Sequence, residues 1–347
     1  MSHDEHLPWS RRALLHTGLI TGIAAALPPA LRTAAAAEGP VIAKAIPASG
    51  EKLPVIGIGT NRFGRTPYED VRAILKRMYA LGGTVIDTAA LYGESEVQIG
   101  KALEELGLTQ KMFIATKFNA PGGPAGRPPG GGPPPGMGGP PAGGAGRPSP
   151  GPGGRMFGDG VGGRESVERS LQRLHKVDLL FIHFGYSFES MMPVLLDFKN
   201  QGRVRYIGIT SIRTPEYPQL LEYMRRYPLD FIQVNYSLGD RAAEAEVLPL
   251  ALERRMAVMA AVPLGGGRNL LIDQVGNRQL PGWAADFGIT SWSQFFLKYA
   301  VSHPAVTCAI PGSSKLSHLE DNQGAGHGRL PDAAARRKME RFWSAGA

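Results

Sequence analysis

An acidic residue and a phenol stand five positions apart after a short apolar run, and both could take part in proton transfer. Asp87 follows the run Thr84-Val85-Ile86, and Tyr92 lies a few residues further on. Ser95 and Gln98 have the spacing of a capping box, which predicts that a helix begins directly after Tyr92. The sequence therefore predicts that Asp87 ends a strand and that Tyr92 lies in the turn after it.

Two further titratable residues end apolar runs. Lys117 closes the run 112–117, and His183 closes the run 177–183. A lysine or histidine at such a place is commonly structural, but four such groups at neighbouring strand ends are not commonplace. In an α/β barrel the carboxyl ends of the strands carry the chemistry. An Asp, a Tyr, a Lys and a His gathered there could donate a proton to a substrate oxygen.

The elements that would position these residues alternate between two periodicities. Amphipathic segments separate eight short β-like runs, at 55–59, 84–87, 113–117, 178–183, 206–210, 231–234, 257–262 and 307–310. This alternation predicts βαβ units, and eight of them favour an α/β fold closed into a (β/α)8 TIM barrel. The alternative is an open doubly wound sheet, but segment 57–62 lacks the third glycine of its phosphate-binding turn.

Two segments lie outside this pattern. Residues 1–37 contain Arg11-Arg12, an apolar run to about Leu27 and an Ala-rich end, in the order of a Tat-type signal peptide. They predict export through the Tat machinery to the periplasm or medium. The alternative is an uncleaved anchor, but the apolar run is shorter than a bilayer requires, so no stable membrane span is expected in the mature protein.

Residues 121–154 consist almost entirely of Gly and Pro, which predicts a disordered low-complexity insertion after the third barrel strand. It would divide the barrel domain into residues 38–120 and 155–347. Both a tolerated insertion and a mobile flap or partner-docking segment agree with its position directly after Lys117.

Composition excludes several classes of function. The chain has 347 residues, a formal charge of +8 and one cysteine, Cys308, so it can form neither an internal disulfide nor a cysteine metal cluster. Its histidines lack close ligand spacing, and no metal site is expected. Because no basic run with interleaved aromatics occurs, no nucleic-acid partner is expected either.

Several motifs together resemble the aldo/keto reductase family over residues 50–330. The matching segments are Asp-Thr-Ala-x-x-Tyr-Gly-x-Ser-Glu at 87–96, Ala-Thr-Lys at 115–117, the strand 178–183, and segments 202–208, 233–237, 310–313 and 321–322. Segments 291–299 and 322–325 are similar to a subgroup with Tat signals. The resemblance implies reduction of an aldehyde or ketone, a small-molecule substrate, by NADPH or NADH. Tyr92 would be the general acid, Lys117 and Asp87 its supports, and His183 would orient the substrate oxygen.

The same resemblance implies which residues contact the cofactor. Gln233, Thr210 and Ser211 would bind the nicotinamide carboxamide, and Tyr236 would stack under the ring. The pyrophosphate would lie along Leu264, Gly265 and Ser313, and the adenine near Asp321 and Asn322. NADP(H) is favoured over NAD(H), although Gly312 and His318 replace a lysine and an arginine that many members carry. Arg268 and Lys315 are nearby cations that could substitute for them.

A second hypothesis is an exported nicotinamide-binding sensor or scaffold with little turnover. It follows from the expected location, because soluble NADPH is not expected outside the cytoplasm. Multiple turnover with added NADPH would distinguish the enzyme from the sensor.

Overall fold

The computed structural model describes residues 39–120, 162–183, 188–266 and 269–345. Their first element is an antiparallel hairpin of β1 (Ala43–Ala45) and β2 (Lys52–Pro54), which the sequence analysis did not predict. Ile46 and Leu53 of this hairpin region pack against side chains from the barrel interior. Glu51 accepts a hydrogen bond of 2.6 Å from Tyr206, the first residue of its strand. The hairpin therefore covers the amino ends of the barrel strands.

Eight parallel strands follow in the described ranges, one for each predicted run. They are β3 (Ile58–Gly59), β4 (Val85–Asp87), β5 (Phe113–Phe118), β6 (Leu179–Ile182), β7 (Tyr206–Ser211), β8 (Phe231–Asn235), β9 (Ala257–Ala261) and β10 (Val306–Ala309). Each strand pairs with the next in chain order. Parallel bridges from Ile56 to Ala309 and from Gly59 to Gly312 join the first strand to the last. The predicted (β/α)8 barrel is confirmed.

The helices lie between the strands in the sequence. They are α1 (Tyr68–Ala80), α2 (Ser95–Glu105), α3 (Gly163–Leu174), α4 (Phe188–Asn200), α5 (Tyr217–Arg226), α6 (Val247–Glu253), α7 (Trp292–Ser302), α8 (Leu316–Gly324) and α9 (Ala333–Ser344). The sequence analysis did not predict α8 and α9. An N-cap marks the start of α9, because Asp332 accepts a hydrogen bond of 2.8 Å from the amide of Ala335.

Buried side chains form two clusters, separated by the strands. The inner cluster fills the barrel and includes Phe113, Phe181, Phe231 and Met259, whereas the larger outer cluster lies between the sheet and the helices. Because successive side chains of a strand point to opposite faces, alternate residues enter alternate clusters. This alternation decides which polar residues reach the site.

The proposed signal peptide at 1–37 and the Gly/Pro segment at 121–154 lie outside the described residues. Among the helices that are described, none is both long and apolar enough to cross a membrane.

Candidate active site

Strand alternation brings five polar side chains to the carboxyl end of the barrel interior. Phe113 and Ala115 of β5 belong to the inner cluster, so Lys117, two residues further along, faces the same way. Each of the other four follows a member of the inner cluster by an even number of residues along its strand. The five residues are Asp87, Lys117, His183, Thr210 and Gln233.

Lys117 and Asp87 form a buried ion pair in this group. Lys117 Nζ lies 2.5 Å from Asp87 Oδ2, and their side chains are 1% and 4% exposed. The same ammonium donates to the carbonyl oxygen of Thr88 at 2.8 Å. Asp87 Oδ1 accepts a hydrogen bond of 2.8 Å from the amide of Gln233. Both carboxylate oxygens are thus occupied, which fixes the ammonium in place.

Tyr92 lies in the turn between β4 and α2, where its ring approaches two of these residues. Lys117 Nζ is 5.4 Å from the centre of the Tyr92 ring. The rings of Tyr92 and His183 meet edge to face with their centroids 6.0 Å apart. Tyr92 is partly exposed, whereas Lys117 and His183 are buried. The structure therefore brings all four predicted catalytic residues together, with the phenol nearest the opening.

Hydroxyl groups, and not a capping box, hold this turn. Ser95 is the first residue of α2 and its side chain makes no capping bond, so the predicted capping box is wrong. Its hydroxyl instead donates to the carbonyl oxygen of Thr60 at 3.1 Å and lies 3.1 Å from the hydroxyl of Thr88. Gln98 donates to the carbonyl oxygen of Phe63 at 3.0 Å. These bonds attach the start of α2 to the ends of two neighbouring strands.

Burial changes the pKa of each group at the centre. It raises the pKa of Asp87, and Lys117 opposes this rise by favouring the carboxylate. Burial also raises the pKa of the Tyr92 phenol, with Lys117 again acting in the opposite direction. The pKa of His183 falls well below its usual value, because burial and the nearby Lys117 disfavour the imidazolium. At neutral pH His183 is therefore neutral and Tyr92 carries its proton.

Glu96 supports this arrangement, although the sequence analysis gave it no role. It is fully buried in α2 and accepts a hydrogen bond of 2.6 Å from the hydroxyl of Thr116. Its other oxygen lies 3.3 Å from Arg173 of α3. Thr116 precedes Lys117 and faces the helices, so Glu96 links the helix after Tyr92 to the strand of Lys117. Its place in the 87–96 motif, four residues after Tyr92, could have suggested this.

Of the three residues predicted to bind the carboxamide, two reach the interior. Thr210 is paired in register with Gln233, and its hydroxyl oxygen is buried without a hydrogen-bond partner in the part of the chain described. Ser211 is the next residue and so faces the helices, where its hydroxyl donates to Glu216 at 2.9 Å.

Tyr236 does not reach the site, and its predicted stacking role is wrong. It lies three residues after Gln233, so alternation turns it toward the helices. Its ring is fully buried and stacks with Tyr299 of α7 at a centroid distance of 6.2 Å. Its hydroxyl donates to Glu244 and accepts from Arg336 of α9 at 2.6 Å. A side chain without exposed surface offers no face to a nicotinamide.

The residues predicted at the far end of the cofactor have mixed surroundings. Ser313 and Asn322 are buried together, with the Asn322 amide donating to the Ser313 hydroxyl at 2.8 Å. Asp321 instead accepts from Ser291 and Gln294 at 2.9 Å each, which ties α8 to α7. The other predicted contacts are His318 and Lys315, which are exposed at the start of α8, the half-buried Leu264 and Gly265, and Arg268, which lies outside the described residues.

Comparison with known proteins identifies the class. The model of the aldo/keto reductase family matches residues 55–338. Methylglyoxal reductase YeaE of Escherichia coli is 27% identical over 291 residues, which cover 80% of this chain and 88% of that protein. The uncharacterized oxidoreductase YqkF of Bacillus subtilis is 26% identical over 313 residues, which cover 79% of this chain and 87% of that protein.

Two solved structures have the same fold. Aldo-keto reductase AKR11C1 from Bacillus halodurans superposes with a TM-score of 0.63 at 23% identity, covering 87% of this chain and 96% of its own. An aldo-keto reductase from Klebsiella pneumoniae in complex with NADPH superposes with a TM-score of 0.64 at 22% identity, and the match covers 87% of this chain and 95% of that protein. With the family match over most of the barrel, the chain belongs to the aldo/keto reductase family and is an oxidoreductase.

Proposed function

We propose that the protein reduces an aldehyde or ketone to an alcohol with NADPH or NADH, and that Tyr92 is the general acid. The observation that carries this proposal is the meeting of a protonated phenol, a buried ammonium and a neutral imidazole at the open end of the barrel. When a carbonyl carbon receives a hydride, its oxygen gains negative charge and needs a proton.

The chemistry of the described residues fits a nicotinamide cofactor. The hydroxyl of Thr210, which has no partner among the described residues, and the amide of Gln233 would hold its carboxamide beside His183. Ser313 and Asn322, with the backbone at the start of α8, would hold its phosphate and adenine end. When bound, the dihydronicotinamide supplies the hydride, and the protein supplies position and charge.

The opposite pKa changes support Tyr92 as the proton donor. His183 is held neutral by burial and Lys117, so it can orient the substrate oxygen by a hydrogen bond but is a poor acid. Tyr92 keeps its proton because burial raises its pKa. As the proton leaves, the ammonium of Lys117 stabilises the phenolate, and Asp87 keeps that ammonium in place. Acid and orienting group are thus separate side chains.

Two relatives support the nature of the substrate and cofactor. YeaE is named a methylglyoxal reductase, and the Klebsiella pneumoniae structure contains NADPH. We therefore infer a small carbonyl substrate and a preference for NADPH, with Lys315 as the described cation nearest in sequence to the expected phosphate site. Steady-state rates with NADPH and NADH on a panel of carbonyl compounds test both points; equal efficiency with the two cofactors would contradict the preference.

We also propose export through the Tat machinery to the periplasm or medium. Arg11-Arg12, the apolar run and the Ala-rich segment before residue 38 support it. The test is the N-terminal sequence of the protein recovered from a bacterial host, with an Arg11→Lys, Arg12→Lys variant as the control. A mature chain that begins at Met1 would contradict this proposal and leave the enzymatic one untouched.

The decisive experiment for the enzyme compares Tyr92→Phe with the wild type. Removing the phenolic proton should lower kcat by at least about 10²-fold, the usual contribution of a general acid. The dissociation constant for NADPH, measured by fluorescence quenching, should stay within a factor of about two, because the ring and its packing remain. Equal kcat in the two proteins would remove Tyr92 from the mechanism, and bound NADPH without turnover in the wild type would favour a sensor.

A further inference from the structure

Asn119 lies beside His183 at the carboxyl end of the barrel, in a place that the proposed mechanism does not use. Phe118 of β5 is paired in register with Ile182 of β6. The ladder continues by one bond, because the amide of His183 donates to the carbonyl oxygen of Phe118 at 2.8 Å. Asn119 and His183 are the next residues on the two strands, and Asn119 is two residues after Lys117. Alternation therefore directs Asn119 to the same inner side as Lys117 and His183.

The side chain of Asn119 is almost completely buried there. Its exposure is 5%, and its Oδ1 atom is buried without a partner among the described residues. Thr210, on the strand at the other side of His183, has the same property at its hydroxyl. Buried polar groups in folded proteins are nearly always hydrogen-bonded, and an unbonded one is costly. Two such atoms on both sides of His183 indicate that bound molecules provide their partners.

The surroundings of the two atoms separate their roles. Thr210 is paired with Gln233, and both residues belong to the proposed carboxamide site. Asn119 is on the opposite side of His183, next to the strand of Lys117 and the turn of Tyr92. The proposed mechanism places the reacting carbonyl oxygen between Tyr92 and His183. Asn119 is therefore beside the substrate and away from the nicotinamide.

We propose that Asn119 binds a hydroxyl group on the carbon next to the reacting carbonyl, so that the enzyme prefers 2-hydroxy ketones and 2-hydroxy aldehydes. Neighbouring strands are about 4.8 Å apart, so a substrate whose carbonyl oxygen meets His183 brings its adjacent carbon within reach of Asn119. Oδ1 is an acceptor and requires a donor, which a hydroxyl group provides. This inference rests on the proposed carbonyl reduction.

The test uses two ketones of nearly the same shape, hydroxyacetone and butan-2-one, which differ by a hydroxyl in place of a methyl group. The full-length wild type should have a kcat/KM at least about tenfold higher for hydroxyacetone than for butan-2-one. A site built to hydrogen-bond a hydroxyl group discriminates against an analogue that lacks this group. Asn119→Leu keeps the volume of the side chain but removes its polar atoms. It should lose this preference by lowering kcat/KM for hydroxyacetone alone, with butan-2-one unchanged within about twofold.

Asn119→Asp retains an acceptor and should keep most of the preference. Asn200→Leu, at an exposed asparagine that ends α4, is the matched control and should behave as the wild type. If thermal unfolding and NADPH binding show that Asn119→Leu is not folded, Asn119→Ala replaces it in the same comparison. Equal losses for both ketones, or a wild type without preference, would overturn the inference while leaving carbonyl reduction in place. A wild type that reduces no carbonyl compound would overturn the proposed function itself.

Discussion

Asp87 and Lys117 form an ion pair of 2.5 Å that is almost completely removed from solvent. The carboxylate also binds Gln233, and the ammonium also binds the carbonyl oxygen of Thr88. A buried pair of this kind often contributes little net stability, because desolvation offsets the attraction between the charges. Losing one partner, in contrast, leaves an uncompensated charge in the interior.

The first prediction follows from this asymmetry. Lys117→Met and Asp87→Asn should each lower the free energy of unfolding by about 3–5 kcal/mol. The double variant should be no more destabilised than either single variant, because neither charge remains in the interior. Urea denaturation of the four proteins measures this cycle. Additive losses would mean that the two side chains do not depend on each other.

The stability deficit of Lys117→Met should depend on pH. In Lys117→Met, the buried Asp87 becomes neutral by taking up a proton, which is more favourable as pH falls. The deficit in the free energy of unfolding relative to the wild type should therefore shrink from pH 7 to pH 5. A deficit that stays constant with pH would contradict the burial of this charge.

A second prediction concerns the close contact between α2 and α3. A Cβ atom added to Gly100 would lie 1.8 Å from the carbonyl oxygen of Arg173. Gly100→Ala should therefore lower the free energy of unfolding by about 3 kcal/mol or more, although alanine favours helix. The contact also sets the position of the helix that follows Tyr92, so kcat should fall as well. Thermal and urea unfolding measure the first effect, and steady-state kinetics the second.

The control is Gly282→Ala. Gly282 has open space around its would-be Cβ and an ordinary backbone conformation, so the substitution should change stability by no more than about 0.5 kcal/mol. A Gly100→Ala protein as stable as this control would show that α2 and α3 can separate without cost.

The sequence predicted the barrel and its four central residues because their signals are local. Each strand is a short apolar run, and Asp87, Lys117 and His183 end such runs, so the register of a parallel barrel is enough to gather them. The hairpin and α8 were missed because their short segments carry weak periodic signals, whereas the amphipathic pattern of α9 and its N-cap at Asp332 could have predicted that helix. The capping box at Ser95 failed for a tertiary reason, since Thr60 and Thr88 from two other strands bind the serine hydroxyl.

Tyr236 shows what a shared motif leaves open. Its segment resembles the family, but the motif does not state which face of the strand a residue occupies. Counting from Gln233 would have turned Tyr236 toward the helices, where Glu244 and Arg336 bind its hydroxyl. Within the described residues, Asn119 Oδ1 and Thr210 Oγ1 have no hydrogen-bond partner. The sequence could not predict this, because it depends on the positions of all neighbouring side chains.

A third prediction concerns acid stability. Burial, with Arg336 and Lys44 acting in the same direction and Glu244 against them, lowers the pKa of His303 from 6.5 to about 4. Because the unfolded chain takes up this proton first, His303 should contribute stability above pH 6.5 that is lost as pH falls toward 4. Between pH 7 and pH 5 the free energy of unfolding should fall by on the order of 1 kcal/mol more in the wild type than in His303→Asn, after allowance for solvent screening of this partly exposed ring. Parallel pH curves for the two proteins, from urea unfolding, would contradict this origin.

The last prediction tests the link between Lys117 and the phenol of Tyr92. Burial raises the pKa of Tyr92, and Lys117 lowers it in part, so Lys117→Met should raise that pKa further. In the wild type, loss of the acid should therefore limit the rate of reduction only above pH 10, the ordinary value for tyrosine. In Lys117→Met the rate should be at least about 10²-fold lower, because the phenolate loses its stabilising charge, and its decline should begin at higher pH. An ultraviolet difference titration of each protein against its Tyr92→Phe counterpart follows the phenolate of Tyr92 directly. A Tyr92 pKa that falls, or does not move, when Lys117 is removed would separate the ammonium from the proton donor.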